Sequence, residues 1–197
     1  MRAVLSTREL RPLIALYFVI YLAFSIFATA LPTHAILDVG LSIPMLGFVY
    51  TTLALALAGT EAFVLPRLAR KLASPPIAAT GSAILVAAYI AMSASSRGAL
   101  VAGAVLYGVG NGLMWPSYLT MLSHAGPPEA QGSVQGVGSS TGSLASIIGT
   151  ISGGVLYIAI GAATFYVAAA AVAIATVIFG TVLVRNESLG RDHGALN

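Results

Sequence analysis

PLIALYFVIYLAFSIFATAL, residues 12–31, runs its whole length without a charge. A helix needs about 20 apolar residues to cross the hydrocarbon core of a bilayer, so this stretch is long enough to span. Its flanks offer a second reading. Arg2, Arg8 and Arg11 precede it and Ala28-Thr29-Ala30 closes it, which mimics a secretory leader and its cleavage site. Length argues against the leader, whose apolar core is about 7–15 residues. Cleavage would also leave five apolar runs and break the charge alternation that the rest of the chain obeys.

Five further apolar stretches follow: Pro44–Leu65, Pro76–Ala94, Ala99–Leu122, Gly132–Ile158 and Ala162–Val184. Eight of the nine basic residues fall in alternate connecting segments: Arg2, Arg8 and Arg11; Arg67, Arg70 and Lys71; Arg185 and Arg191. Arg97 alone lies on the other side. Loops rich in Lys and Arg stay cytoplasmic, which places both termini inside. The expected architecture is an all-α integral membrane protein of six transmembrane helices. Residues 1–11 form an inner segment, 12–184 the bundle and 185–197 a short polar inner tail. A chain that is 58% apolar and 8% charged belongs in a bilayer. Its net charge of +3 is the orientation bias and does not point to nucleic acid.

Punctuation supports the spans. Pro12, Pro44 and Pro76 sit near helix starts, where the missing N–H is harmless. Pro127-Pro128-Glu129 is a helix-start signal, and Gly161 marks a tight outer turn. The segment between the first two spans carries Pro32, Asp38, Gly40 and Ser42 and reads as an outer loop. His34 and Asp38 are then solvated rim residues. The chain has no cysteine, and His34, His124 and His193 form no ligand spacing, so no cofactor or metal centre is expected. No nucleophile–base–orienter set is present, which argues against an enzyme.

The fourth span holds the richest pattern. Tyr107, Asn111, Trp115 and Tyr118 recur on one helical face, and Pro116 should kink the helix. Three aromatics and a carboxamide are costly in lipid and suit a cavity that stacks and hydrogen-bonds an amphipathic solute; packing plus an interfacial anchor at Tyr118 is the plainer reading. The first span adds Tyr17, Tyr21 and Phe24 at similar spacing. In the fifth span Gly138, Gly142, Ser146, Thr150 and Gly154 recur every four residues, with a second ladder through Ala145, Gly149 and Gly153. Residues this small permit close backbone contact, as fixed packing or as a rocking surface against another bundle. The glycines of Gln131–Gly138 are no phosphate loop, because no Gly-Lys-Ser/Thr follows. Glu61 is the one carboxylate inside a span and is a coupling or gate residue by default; it could also pair with Arg67 or Arg70. The third and sixth spans are the least polar and suit lipid exposure.

PPEAQGSVQGVGSSTGSLASIIGTISGGVLY, residues 127–157, resembles the eleventh helix of major facilitator superfamily transporters, in the drug/proton antiporter branch that includes the tetracycline-efflux proteins. Gly108-Val109-Gly110-Asn111-Gly112 and Pro116 look like the tenth helix. Pro66–Lys71 is similar to a degraded G-x-L-x-D-R-x-G-R-K inner loop: Arg67, Arg70 and Lys71 match, Pro66 stands for the aspartate, and Ala62 and Ala69 for the glycines. Gly149–Gly154 echoes the antiporter motif of the fifth helix with Thr150 in the proline position, and the fourth span lacks the arginine of the family's first half.

The resemblance implies one half of that fold, helices seven to twelve, built as 3+3 inverted repeats. It implies a secondary active transporter in a bacterial cytoplasmic (inner) membrane, exporting a small amphipathic solute with protons as a coupling ion. First and fourth helices would line the cavity through Tyr17, Tyr21, Tyr107, Asn111, Trp115 and Tyr118. Second and fifth would face the other half, the fifth through Gly138, Gly142, Ser146, Gly149, Thr150, Gly153 and Gly154. Third and sixth would face lipid. Glu61 would act in coupling or gating, and Arg67, Arg70 and Lys71 as an inner charge clamp. The missing half would be a second copy or a separate six-helix chain. The alternative is a fragment or accessory bundle that transports nothing.

Overall fold

The computed structural model describes residues 10–125 and 130–194. Arg2, Arg8 and the Pro127-Pro128-Glu129 signal lie outside them, as do the side chains of Arg185 and Arg191. The described residues are helical and form no strand. We label the long helices α1 (Leu10–Thr33), α2 (Ile43–Gly59), α3 (Ser74–Met92), α4 (Arg97–His124), α5 (Gln131–Ile160) and α6 (Thr164–Gly194). Five stretches are long and apolar enough to cross a membrane. The last of these, Gln131–Ile178, is 48 residues, more than twice one crossing, and is divided by a 3-10 turn at Gly161–Ala163. Gly161 takes φ +55, a left-handed conformation that glycine adopts without strain, and so ends α5 where the sequence marks a turn.

Local signals explain the helix starts. Pro44 occupies the first turn of α2 and Pro75 that of α3. Ser96 caps α4, its hydroxyl accepting from Ala99 N at 3.2 Å. Hydroxyls within the helices are satisfied by the preceding turn: Thr51 donates to Gly47 O, Ser82 to Ala78 O and Thr176 to Val172 O. Such back-bonding lets polar residues sit where no water is at hand.

One expectation is corrected here. The segment after Leu31 is a loop only over 39–42: α1 runs through Pro32 and continues as a π turn, His34–Asp38. A second π turn, Thr60–Val64, follows α2 and leads into a last helical turn, Leu65–Ala69. Pro66, just past the second, lacks the N–H that would reach Ala62 O inside that turn, so the ladder is interrupted there. The polar tail is also helical, since α6 continues past Val184 to Gly194.

Packing follows an exchange. α1 packs on α5 and α6, α4 packs on α2 and α3, and α3 packs on α6. Swapping α1 with α4, α2 with α5 and α3 with α6 leaves this pattern unchanged. α1 and α4 run antiparallel, with Tyr17 against Tyr118, Tyr21 against Trp115 and Phe27 against Tyr107. They meet through large side chains rather than backbones, which opens a wedge between them.

The small residues of α5 divide between two surfaces. A Cβ on Gly149 would lie 2.7 Å from Leu22 O, one on Gly153 2.9 Å from Ile26 O, and one on Gly142 2.7 Å from the Tyr17 ring. Gly138 also faces Tyr17 and Leu122. Ser25 donates to Ser146 Oγ at 3.1 Å. These five positions therefore press α5 against α1 of the same chain, correcting their assignment to a contact with another half. Thr150 is exposed, and Gly154 is half-buried with Thr29 of α1 as its one neighbour within 4 Å. Large apolar side chains cover the outside, including Leu37 (73% exposed), Ile43 (79%) and Ile158 (89%). A surface this apolar is one that water does not tolerate, and the chain is an integral, multi-pass membrane protein.

Candidate functional site

Helical spacing puts Tyr107, Asn111 and Trp115 one turn apart on α4, and the wedge gives them a space to face. That space is an open cleft of about 150 Å³. Tyr21 and Phe24 of α1, Asn111, Met114 and Trp115 of α4, and Tyr89 of α3 supply its character; Val172 of α6 closes the back. No charged side chain lines it.

Two aromatic groups bracket the cleft along the helix axes. Toward the start of α1, Tyr17 stacks on Tyr21 at 4.8 Å, Tyr21 meets Trp115 edge-on at 5.2 Å, and Trp115 stacks on Tyr118 at 5.9 Å. Toward its end, Phe27 stacks on Tyr107 at 4.8 Å and tilts against Tyr89 at 5.0 Å. Asn111 lies between them. Its carboxamide is the one amide in a lining that otherwise offers apolar and π surfaces and the tyrosines Tyr21, Tyr89 and Tyr107, an arrangement that suits a flat or amphipathic solute.

The six residues expected in the cavity do not all reach it. Tyr21, Tyr107, Asn111 and Trp115 line the cleft. Tyr17 and Tyr118 are buried beneath it, and the Tyr118 hydroxyl donates to the Leu13 carbonyl across the α1–α4 wedge. They plug the end of the wedge nearest the start of α1. Tyr118→Phe should cost about 1 kcal/mol of stability by stranding one polar partner; denaturant unfolding of the two proteins in one detergent reads this directly.

Phe24, Tyr89 and Met114 were not expected as lining. Tyr89 was legible as the lone aromatic of its span, and Met114 as the neighbour of Asn111 one turn along. Glu61 belongs to the π turn after α2, is exposed, and does not line the cleft. Among the described residues its expected ion pairs do not form: the Arg67 guanidinium donates instead to the Phe63 carbonyl. Arg67, Arg70 and Lys71 are all exposed at the end of that helix.

Of the two expected rim residues Asp38 is exposed, but His34 is not solvated. His34 is 0% exposed. Its Nδ1 lies 2.9 Å from Asp38 Oδ2 and 3.0 Å from Tyr157 Oη, and Tyr157 donates to the same carboxylate oxygen. The i, i+4 spacing of His34 and Asp38 was the available helical signal, masked by the surrounding proline, glycine and serine.

A sequence profile described as Major Facilitator Superfamily matches residues 13–195. No curated protein matches the chain.

Proposed function

Since the chain belongs to the major facilitator superfamily and is a transporter of that type, we propose that the α1–α4 cleft is one wall of its solute path. The uncharged aromatic lining with a single carboxamide carries this reading. It favours a small amphipathic solute held by stacking and one hydrogen bond. Transport proceeds by alternating access, in the export direction, with protons as the coupling ion, as in the antiporter branch that residues 127–157 resemble. Six spans with both ends inside follow from the positive residues, and a bacterial cytoplasmic membrane is the expected location.

The cleft is open along one side, so a second wall is needed: another copy or a separate six-helix half. The exposed outer faces of α2 and α5 are the surfaces it would meet, through Thr150 and Gly154 on α5. Glu61 would then act at that seam, and Arg67, Arg70 and Lys71 as the inner clamp. A bundle that associates but transports nothing is the competing reading, favoured by the same exposed faces.

Asn111→Leu separates them. It should leave the protein folded and reduce solute uptake into proteoliposomes several-fold, as expected for loss of one hydrogen bond worth about 1 kcal/mol. Flux equal to wild type would remove Asn111 from the path, and zero flux in the wild type under every partner condition would favour the accessory bundle.

A further inference from the structure

The end of the cleft away from Trp115 holds two phenols that the fold leaves without hydrogen bonds. Tyr89 of α3 and Tyr107 of α4 are 2% and 3% exposed, and their rings meet edge-on at 6.0 Å. Phe27 fixes both rings, stacked on one and tilted on the other, and its apolar ring offers neither hydroxyl a partner. A buried tyrosine hydroxyl ordinarily finds one. Tyr118 donates to the Leu13 carbonyl, and Tyr157 donates to Asp38. Tyr89 and Tyr107 have no hydrogen-bond partner among the described residues. Nor are their oxygens sealed in: the unpartnered side-chain atoms that are wholly enclosed there are His34 Nε2 and Thr164 Oγ1. Each phenol oxygen therefore keeps an opening, and the cleft is the space that both side chains line.

The rest of the lining limits what these hydroxyls can meet. The cleft holds about 150 Å³, and protein cavities of about that volume take a single benzene ring. Trp115, Tyr21 and Phe24 offer such a ring its apolar and π contacts. No charged side chain is present to replace the water that an ion would lose on entry. Asn111 stands one turn from Tyr107 and one turn from Trp115, about 6 Å along α4 either way. A phenol is a better donor than acceptor, because its oxygen shares electrons with the ring. A neutral carbonyl oxygen carries two lone pairs and can take a hydrogen bond on each.

We propose that Tyr89 and Tyr107 are the specificity-determining donors of the cleft, and that its solute is a neutral one-ring aryl carbonyl, such as a ketone, ester or amide. The ring lodges against Trp115 and Phe24. The carbonyl oxygen receives the phenol hydrogens, and Asn111 supplies a hydrogen bond between the two ends. An alkylbenzene of the same shape drives water from the hydroxyls and gives them nothing in return. A site with polar groups left unpaired in this way rejects the analogue that lacks the oxygen. Transport of such a solute rests on the path proposed above; the binding itself does not.

The chain contains one tryptophan, Trp115, so fluorotryptophan labelling gives a single fluorine NMR signal from within the cleft. The full chain in lipid nanodiscs is titrated with acetophenone and with ethylbenzene, its analogue without oxygen. Acetophenone should shift the wild-type signal to saturation. Tyr89→Phe and Tyr107→Phe should each weaken acetophenone about fivefold, as for one lost hydrogen bond. Ethylbenzene should bind both variants as tightly as wild type or tighter, because no hydroxyl is stranded. Phenylalanine keeps the packing on Phe27, and if one variant does not fold the other carries the test. Acetophenone affinity unchanged in the variants means that the phenols hold only water, and overturns the proposal. Equal weakening of both compounds, or a shift that grows without saturating, overturns it as well. Saturable binding that depends on the tyrosines, in a chain that carries no solute, upholds the site and sinks the transport path. Solute flux through a cleft whose binding ignores the tyrosines does the reverse.

Discussion

Trp115→Ala is expected to lower solute flux about tenfold or more while the folded protein persists. Trp115 touches Tyr17, Tyr21 and Tyr118 within 6 Å and forms the end of the cleft toward the start of α1. Each aromatic pair contributes about 0.5–1.5 kcal/mol beyond the area it buries, and a bound solute would lose its own stacking partner as well. A loss of about 1.4 kcal/mol is already a factor of ten in binding. Trp115→Phe keeps a π face and should recover most of the flux. Proteoliposome uptake for wild type and both variants, normalised to folded protein by size exclusion, decides the matter. Equal flux in Trp115→Ala and wild type would move the path away from this cleft.

The second large effect is structural. Gly149→Ala should destabilise the bundle by about 1–3 kcal/mol, because its Cβ would lie 2.7 Å from the Leu22 carbonyl oxygen, a backbone atom that moves only if α1 and α5 separate. Gly154→Ala, five residues on in the same helix, meets only Thr29 Cγ2 at 4.0 Å and should be neutral within about 0.5 kcal/mol. The contrast is the test. Equal unfolding midpoints for the two variants in one detergent would mean that α1 and α5 sit further apart than these distances require. If Gly154→Ala unfolds normally yet abolishes a complex with a second bundle, its outward face is the docking face.

Most of the helices were legible because an uncharged run of about 20 residues is matched in length and polarity to the core of a bilayer. The site was legible in part. Spacing alone places Tyr107, Asn111 and Trp115 on one face, but it says nothing about what stands opposite. Tyr118 is three residues from Trp115 rather than four, so it turns back toward α1 and finds the Leu13 carbonyl instead of the cleft. Tyr17 is drawn under by the neighbouring absence of side chains at Gly138 and Gly142. Smallness in α5 announced a close contact without naming the partner, and the partner proved to be α1. His34 and Asp38 escape a sequence reading for a different reason. Proline, aspartate, glycine and serine mark loops in water, whereas Pro32 here sits inside a helix that runs on into a π turn.

The exchange of neighbours between the two helix triplets bears on how the chain is made. α1 leaves the ribosome before the others, yet the helices that cover it, α5 and α6, are translated last. α4 by contrast finds α2 and α3 already in the bilayer when it arrives. The first triplet therefore cannot finish its tertiary structure by itself, and the glycine-matched side of α1 must wait in lipid until the end of synthesis. Biogenesis is gated by the final two helices, and a chain arrested after α4 would be inserted but unassembled, the kind of intermediate that membrane quality control removes.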